Sequence, residues 1–192
     1  TKLPENSIFA RTVRRAAGED RLSHAVILTG RGDLTAAARF LAAAHVCEGT
    51  DRPCLRCPAC SKVLRGIHPD VITAGNDDGK DLSVEALRAL RSDAFIQPNE
   101  GACKVFLFPD CRRLTVQDQN VLLKLVEEGP GYAAFLFCAE NPGVLLPTVR
   151  SRCVELAVRP TGEENIQLLP QARTLLEAMA GGERQDMIRA LV

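Results

Sequence analysis

The chain has 192 residues, enough for one full domain and part of a second, and its 46% hydrophobic and 25% charged residues are an ordinary globular mix. Lys plus Arg and Asp plus Glu number 24 each, so bulk charge exerts no long-range pull on nucleic acid. No run reaches the roughly eighteen apolar residues of a membrane span, and none reads as a signal peptide, so no membrane partner is expected and a reducing cytoplasm is the expected compartment.

Short apolar runs alternate with helical patterns along the chain. Ala25–Thr29 reads as a strand and Leu34–Val46 as an alanine-rich amphipathic helix. Val71–Thr73 is a short strand, followed by a helix over 83–95 whose start suits Ser83 and Glu85. Lys104–Phe108 is strongly β-prone, and a long helix is predicted over 115–128. Strands over 134–138 and 153–157 complete the pattern. Runs that are apolar on both faces belong inside a parallel sheet covered by helices. The expected fold is therefore a three-layer α/β core over residues 1–160 with right-handed crossovers. Residues 161–192 read as helix only, over 171–180 and 184–192, and are too few to bury a core of their own.

Inserted after the first helix, Cys47, Cys54, Cys57 and Cys60 form the pattern C-x6-C-x2-C-x2-C, in a module spanning about 45–62. Thiolates two apart on a tight turn both reach one ion, and zinc takes four such ligands in a tetrahedron. Four sulfurs leave no open position for water, so the expected role of Zn2+ is structural. Disulfide pairing is the alternative and needs an oxidising compartment. Pro53 and Pro58 are expected to interrupt any helix here, giving a knuckle. Cys103, Cys111, Cys138 and Cys153 sit in or beside apolar runs and are expected to be buried thiols. His68 is expected to anchor the second strand rather than to ligate metal.

In an α/β fold of this kind, nucleotide phosphates sit where the first strand turns into its helix. A phosphate loop there needs G-x-x-x-x-G-K-[ST], eight residues. This chain has six from Gly30 to Thr35, with Leu34 at the lysine position and Asp33 before it. An aspartate aimed at a triphosphate repels it, and a shortened loop cannot wrap it. After the third strand, Phe108-Pro109-Asp110-Cys111 offers one carboxylate where an ATPase needs two, one for magnesium and one for water. Asp110 is expected to cap the strand end. Neither ATP binding nor hydrolysis is expected.

Several landmarks occur in a telling order: Arg21-Leu22-Ser23-His24-Ala25 before the first strand, the cysteine module, and Gly66-Ile67-His68-Pro69-Asp70-Val71 before the second. Gln119-Asn120-Val121-Leu122-Leu123-Lys124-Leu125-Val126-Glu127-Glu128-Gly129-Pro130 follows, then Pro147-Thr148-Val149-Arg150-Ser151-Arg152-Cys153 before the last strand. From Arg21 to Leu156 the chain resembles the bacterial DNA polymerase III clamp-loader family, its delta-prime branch most closely. That resemblance implies an AAA+ core, a helical lid and a collar that joins five subunits in a ring; the segment 161–192 would then be a truncated lid and collar. It implies a subunit without hydrolysis of its own, partnered by gamma/tau and delta subunits and, through the complex, by the sliding clamp and primed DNA. It makes Arg152, within the Ser151-Arg152-Cys153 motif, an arginine finger supplied in trans to a neighbouring ATPase. A surface arginine in a salt bridge is the plainer alternative. Arg150 is expected on the other face of an extended segment. Lys124, Glu127 and Glu128 either pair within their helix or face a neighbouring subunit. Two other functions remain open at this point: a gamma/tau-type ATPase with a divergent nucleotide site, and a zinc-stabilised interaction protein.

Overall fold

The computed structural model describes residues 7–75 and 84–159. Its elements are α1 (Ile8–Gly18), β1 (Ala25–Thr29), α2 (Leu34–Val46), α3 (Pro58–Arg65), β2 (Val71–Thr73) and α4 (Val84–Ala94), then β3 (Lys104–Phe108), α5 (Val116–Glu128), β4 (Ala133–Ala139), α6 (Pro147–Arg150) and β5 (Val154–Ala157). The five strands form one parallel sheet in the order β2-β3-β4-β1-β5. The expected α/β class is what the chain adopts. The helical patterns expected over 161–192 lie outside the described residues, as does Ser83.

Side chains alternate across the sheet with period two. Val26, Leu28, Val105, Leu107, Ala134 and Leu136 pack on one side with α1, α2 and α3. Ala25, Ile27, Phe106, Phe108, Phe135 and Phe137 pack on the other with α4 and α5. These are two cores separated by a sheet, hence three layers. On the second face, Phe106 stacks on Phe135 and Phe108 on Phe137, with ring centroids 5.5 and 5.0 Å apart. All six alanines of α2 are buried, which lets its backbone lie close to the strands.

α1 was not expected. Ser7 caps it, accepting the Ala10 N–H, and Phe9, Ala10, Val13 and Ala17 face the core. The cysteine module also departs from expectation, because Pro58 starts a helix instead of interrupting one. Proline lacks an N–H that the first helical turn has no use for, so it suits position N1. Cys57 caps α3, Gly66 ends it in the left-handed region at φ 72°, and Cys60 lies on the helix. Residues 147–150 form a helical turn, so Arg150 is not part of an extended segment.

Candidate functional site

Three features of the described residues carry chemistry: the cysteine cluster, the turn after β1, and the turn before β5.

The four cysteines approach from two directions. Cys47 ends α2, Cys57 and Cys60 open α3, and Cys54 lies between them. Their sulfurs all lie within 4.8 Å of one another, with Cys47 Sγ and Cys57 Sγ 4.0 Å apart. A zinc–sulfur distance of about 2.3 Å puts tetrahedral sulfurs about 3.8 Å apart, whereas a disulfide needs about 2.05 Å. All eight cysteines are free thiols. Backbone N–H groups converge on the sulfurs: Gly49 and Cys54 donate to Cys47, Cys57 to Cys54, and Cys60 to Cys57, each at 3.4 Å. The Arg56 N–H and its neighbours hold the Cys54 thiol down at about 6. Burial pushes Cys47 and Cys60 upward. A divalent cation at the centre would relieve that desolvation cost, so the donor set fits a structural metal ion. His68 is absent from the cluster; its Nδ1 accepts the Asp70 N–H, as expected of a loop anchor.

The cluster is built into the core. Cys60 is fully buried and its thiol donates to the Ala43 carbonyl of α2. Arg52 reaches α1, donating to the Ala17 carbonyl at 2.8 Å and to Asp20 at 2.9 Å. Of the other four thiols, Cys111 and Cys138 are buried as expected, whereas Cys103 and Cys153 are only partly so; burial pushes Cys138 and Cys103 up to about 12 and Cys153 to about 11.

The turn after β1 borders a cleft of about 460 Å³, lined in part by Asp33, Thr35, Asp110, Arg112 and Glu140. A phosphate cradle works by aiming unpaired backbone N–H groups into such a space. Here the Gly30 N–H goes to the Glu140 carbonyl and the Gly32 N–H to the Val158 carbonyl. Asp33 is the N-cap of α2, and its carboxylate takes the Ala36 N–H at 2.9 Å. Gly30, at φ 103°, has room for nothing more: a Cβ would come within 2.5 Å of the Val158 oxygen. Across the cleft, Asp110 caps a short 3-10 turn and is gripped by Arg112 through two 2.9 Å hydrogen bonds. That guanidinium, helped by Arg113, holds the Asp110 carboxyl below its usual range.

Arg152 stands at the other edge of the sheet. β1 and β5 run parallel, with Val26 opposite Val154 and Thr29 opposite Ala157. The cleft follows their C-terminal ends, while Arg152 precedes β5. His24, just before β1, hydrogen-bonds the Val126 carbonyl, which brings the end of α5 to that same edge. The two edges are about 13 Å apart, four steps of β1 at roughly 3.3 Å each. Arg152 is exposed and pairs with Glu127 of α5. Its Nη1 donates to the Thr148 carbonyl at 3.0 Å and to Ser151 Oγ at 3.2 Å. Ser151 Oγ donates to the same Thr148 carbonyl, and Cys153 packs half-buried against the second core. Arg150 is occupied by Glu155 at 3.0 Å. Thus Glu127 pairs outside its own helix, and Arg152 does make the ion pair of the plainer alternative.

Two buried polar side chains, whose partners the sequence does not reveal, fix the loops around the sheet. Gln119, buried on α5, donates to the Leu114 and Val144 carbonyls and accepts the Leu146 N–H at 2.7 Å, fixing the approach to α6. Asp70 is fully buried and accepts N–H groups from Asn99, Glu100 and Gly101. Burial alone would raise its pKa, but these donors hold it below the usual value.

No helix among the described residues is long and apolar enough to cross a membrane. Residues 6–162 match the family described as DNA polymerase III, delta subunit. The chain is 31% identical to DNA polymerase III subunit tau of Bacillus subtilis over 149 residues, which is 76% of this chain and 26% of that protein. It is 30% identical to subunit tau of Escherichia coli over 185 residues, 88% of this chain and 28% of that protein. A DNA polymerase III gamma subunit-related protein from Thermotoga maritima shares the fold, with a TM-score of 0.59 and 22% identity over 80% of this chain and 46% of the other. The chain thus spans about a quarter of the length of these tau subunits. With this sheet and this match over most of its length, the chain belongs to the DNA polymerase III delta subunit family.

Proposed function

We propose that the chain is a non-hydrolysing, delta-prime-type subunit of the DNA polymerase III clamp loader, which places the sliding clamp on primed DNA. Its partners on this reading are gamma/tau and delta subunits, and Arg152, with Ser151 and Cys153 shaping its turn, serves an adjoining ATPase in trans. The carrying observation is the turn after β1, where the Gly30 and Gly32 N–H groups and the Asp33 carboxylate are already paired within the chain. A triphosphate would meet three carboxylates in that cleft, and the Gly30 and Gly32 N–H groups would not be free to receive it. The position of Arg152, a strand's length from the cleft, agrees with a guanidinium that serves another subunit's nucleotide. Such a group stabilises charge on the transferred phosphoryl oxygens. Zinc held by Cys47, Cys54, Cys57 and Cys60 would be structural, without a step in the chemistry.

One observation favours a second reading, a gamma/tau-type ATPase with a divergent site: the two curated relatives above carry the name tau. Calorimetry with ATP and magnesium separates the two. No measurable heat is expected, and micromolar binding with turnover would establish the second reading instead. In the assembled complex, with clamp and primed DNA present, Arg152→Ala is expected to reduce stimulated ATP hydrolysis without loss of assembly. An unchanged rate would remove the trans role.

A further inference from the structure

The guanidinium of Arg152 is already held on two sides before any partner arrives. It has five N–H donors in one rigid plane. Nε pairs with Glu127, and Nη1 serves the Thr148 carbonyl and Ser151 Oγ. Nη2 makes no hydrogen bond among the described residues. It sits at the far tip of an exposed side chain, at the edge of the sheet away from the chain's own cleft.

We propose that Glu127 is a positioning residue for Arg152: by holding Nε it fixes the guanidinium so that Nη2 is the donor presented to a phosphoryl oxygen on the adjoining subunit. This rests on the trans role proposed above. An unrestrained arginine must lose its rotamer freedom when it engages a phosphoryl group, and that loss falls on the barrier to transfer. Glu127 and the Thr148 carbonyl impose the loss beforehand. Glu127 lies nearest Nε, so it and a phosphoryl oxygen at Nη2 approach different nitrogens of the guanidinium. Arg150 does not offer the same donor, since Glu155 engages its Nη2 as well as its Nε, each at 3.0 Å. A lysine at 152 could not replace it either, for an ammonium has no separate Nε to anchor while its tip donates.

The test uses the complete clamp loader carrying this chain, with ATP, magnesium, clamp and primed DNA, and reads kcat and KM for stimulated ATP hydrolysis. Glu127→Gln is expected to lower the kcat supported by this interface about tenfold while KM for ATP moves less than about twofold. Added to Arg152→Ala, it is expected to cost nothing further, because the two act as one unit. The melting temperature of the Glu127→Gln chain is expected to stay put, since an exposed ion pair adds little stability. If Arg152→Ala lowers the rate and Glu127→Gln does not, the positioning role is overturned and the trans role stands. If Glu127→Gln lowers the rate equally with and without Arg152, its effect is general and the positioning role is again overturned. If Arg152→Ala itself leaves the rate unchanged, the trans role fails and takes the positioning role with it.

Discussion

Asp70 and Asn99 bind two distant loops into one: the buried Asp70 carboxylate accepts both the backbone N–H of Asn99, at 2.5 Å, and its side-chain amide, at 2.9 Å. The segment entering β2 is thereby tied to the segment entering β3, and the Glu100 and Gly101 N–H groups complete the shell. Replacing Asp70 by Ala leaves these donors without an acceptor. The expected loss is about 3 kcal/mol, measured by urea unfolding at neutral pH. A loss below about 1 kcal/mol would mean that the loops hold without it.

The same carboxylate makes stability depend on acid. Its pKa is depressed in the folded protein, so the folded state binds its proton less readily than the unfolded chain does. The stabilisation is therefore complete above the unfolded value of about 3.9 and drains away as pH falls towards the folded one. Stability measured from pH 6 down to pH 2 should fall less steeply for Asp70→Asn than for the parent chain. Parallel curves would exclude Asp70 as a source of the acid sensitivity.

Gly30 sits where a side chain has no place. Its φ of 103° and the 2.5 Å approach of a Cβ to the Val158 oxygen both oppose alanine. Gly30→Ala is expected to destabilise by about 2–4 kcal/mol. Asp33→Ala offers a milder contrast: losing the α2 cap should cost about 1 kcal/mol. Calorimetry on Asp33→Ala should still show no ATP binding, because the Gly30 and Gly32 N–H groups stay occupied. Appearance of binding would identify Asp33 as the obstacle.

Metal analysis should find about one zinc per chain. Chelation should lower the melting temperature, since ligand assembly and folding are coupled, and zinc affinity should rise with pH because thiolates are the ligands. Cys60→Ser should lose the metal and loosen α3, whereas Cys103→Ser, outside the cluster, should retain it. Equal zinc content in both variants would dismiss the four-cysteine site.

Much of the sheet was legible because its strands are short apolar runs closed by Gly, Pro or charge. β1, α2, β2 and β3 fall on the residues expected for them. α1 escaped notice because Arg11, Arg14 and Arg15 interleave with its buried positions and mask the apolar stripe. α3 is hard to read because its proline, a breaker inside a helix, is here the first residue of one. The four cysteines were legible from spacing alone. The partners of Arg152 and Asp70 were not, since each lies on another element and only the folded sheet brings it near. Asp110 was legible as a cap, though not its grip by two arginines.

The strand order has a structural consequence. β1 links the two functional edges directly, and it is flanked on both sides by hydrogen-bonded neighbours. The turn that carries Arg152 leads into β5, and β5 is hydrogen-bonded to β1, so that turn and the cleft are joined through paired parallel strands. If the trans role proposed above holds, a molecule whose own cleft takes no nucleotide would give at one pole and receive nothing at the other, and would stand at the end of a row.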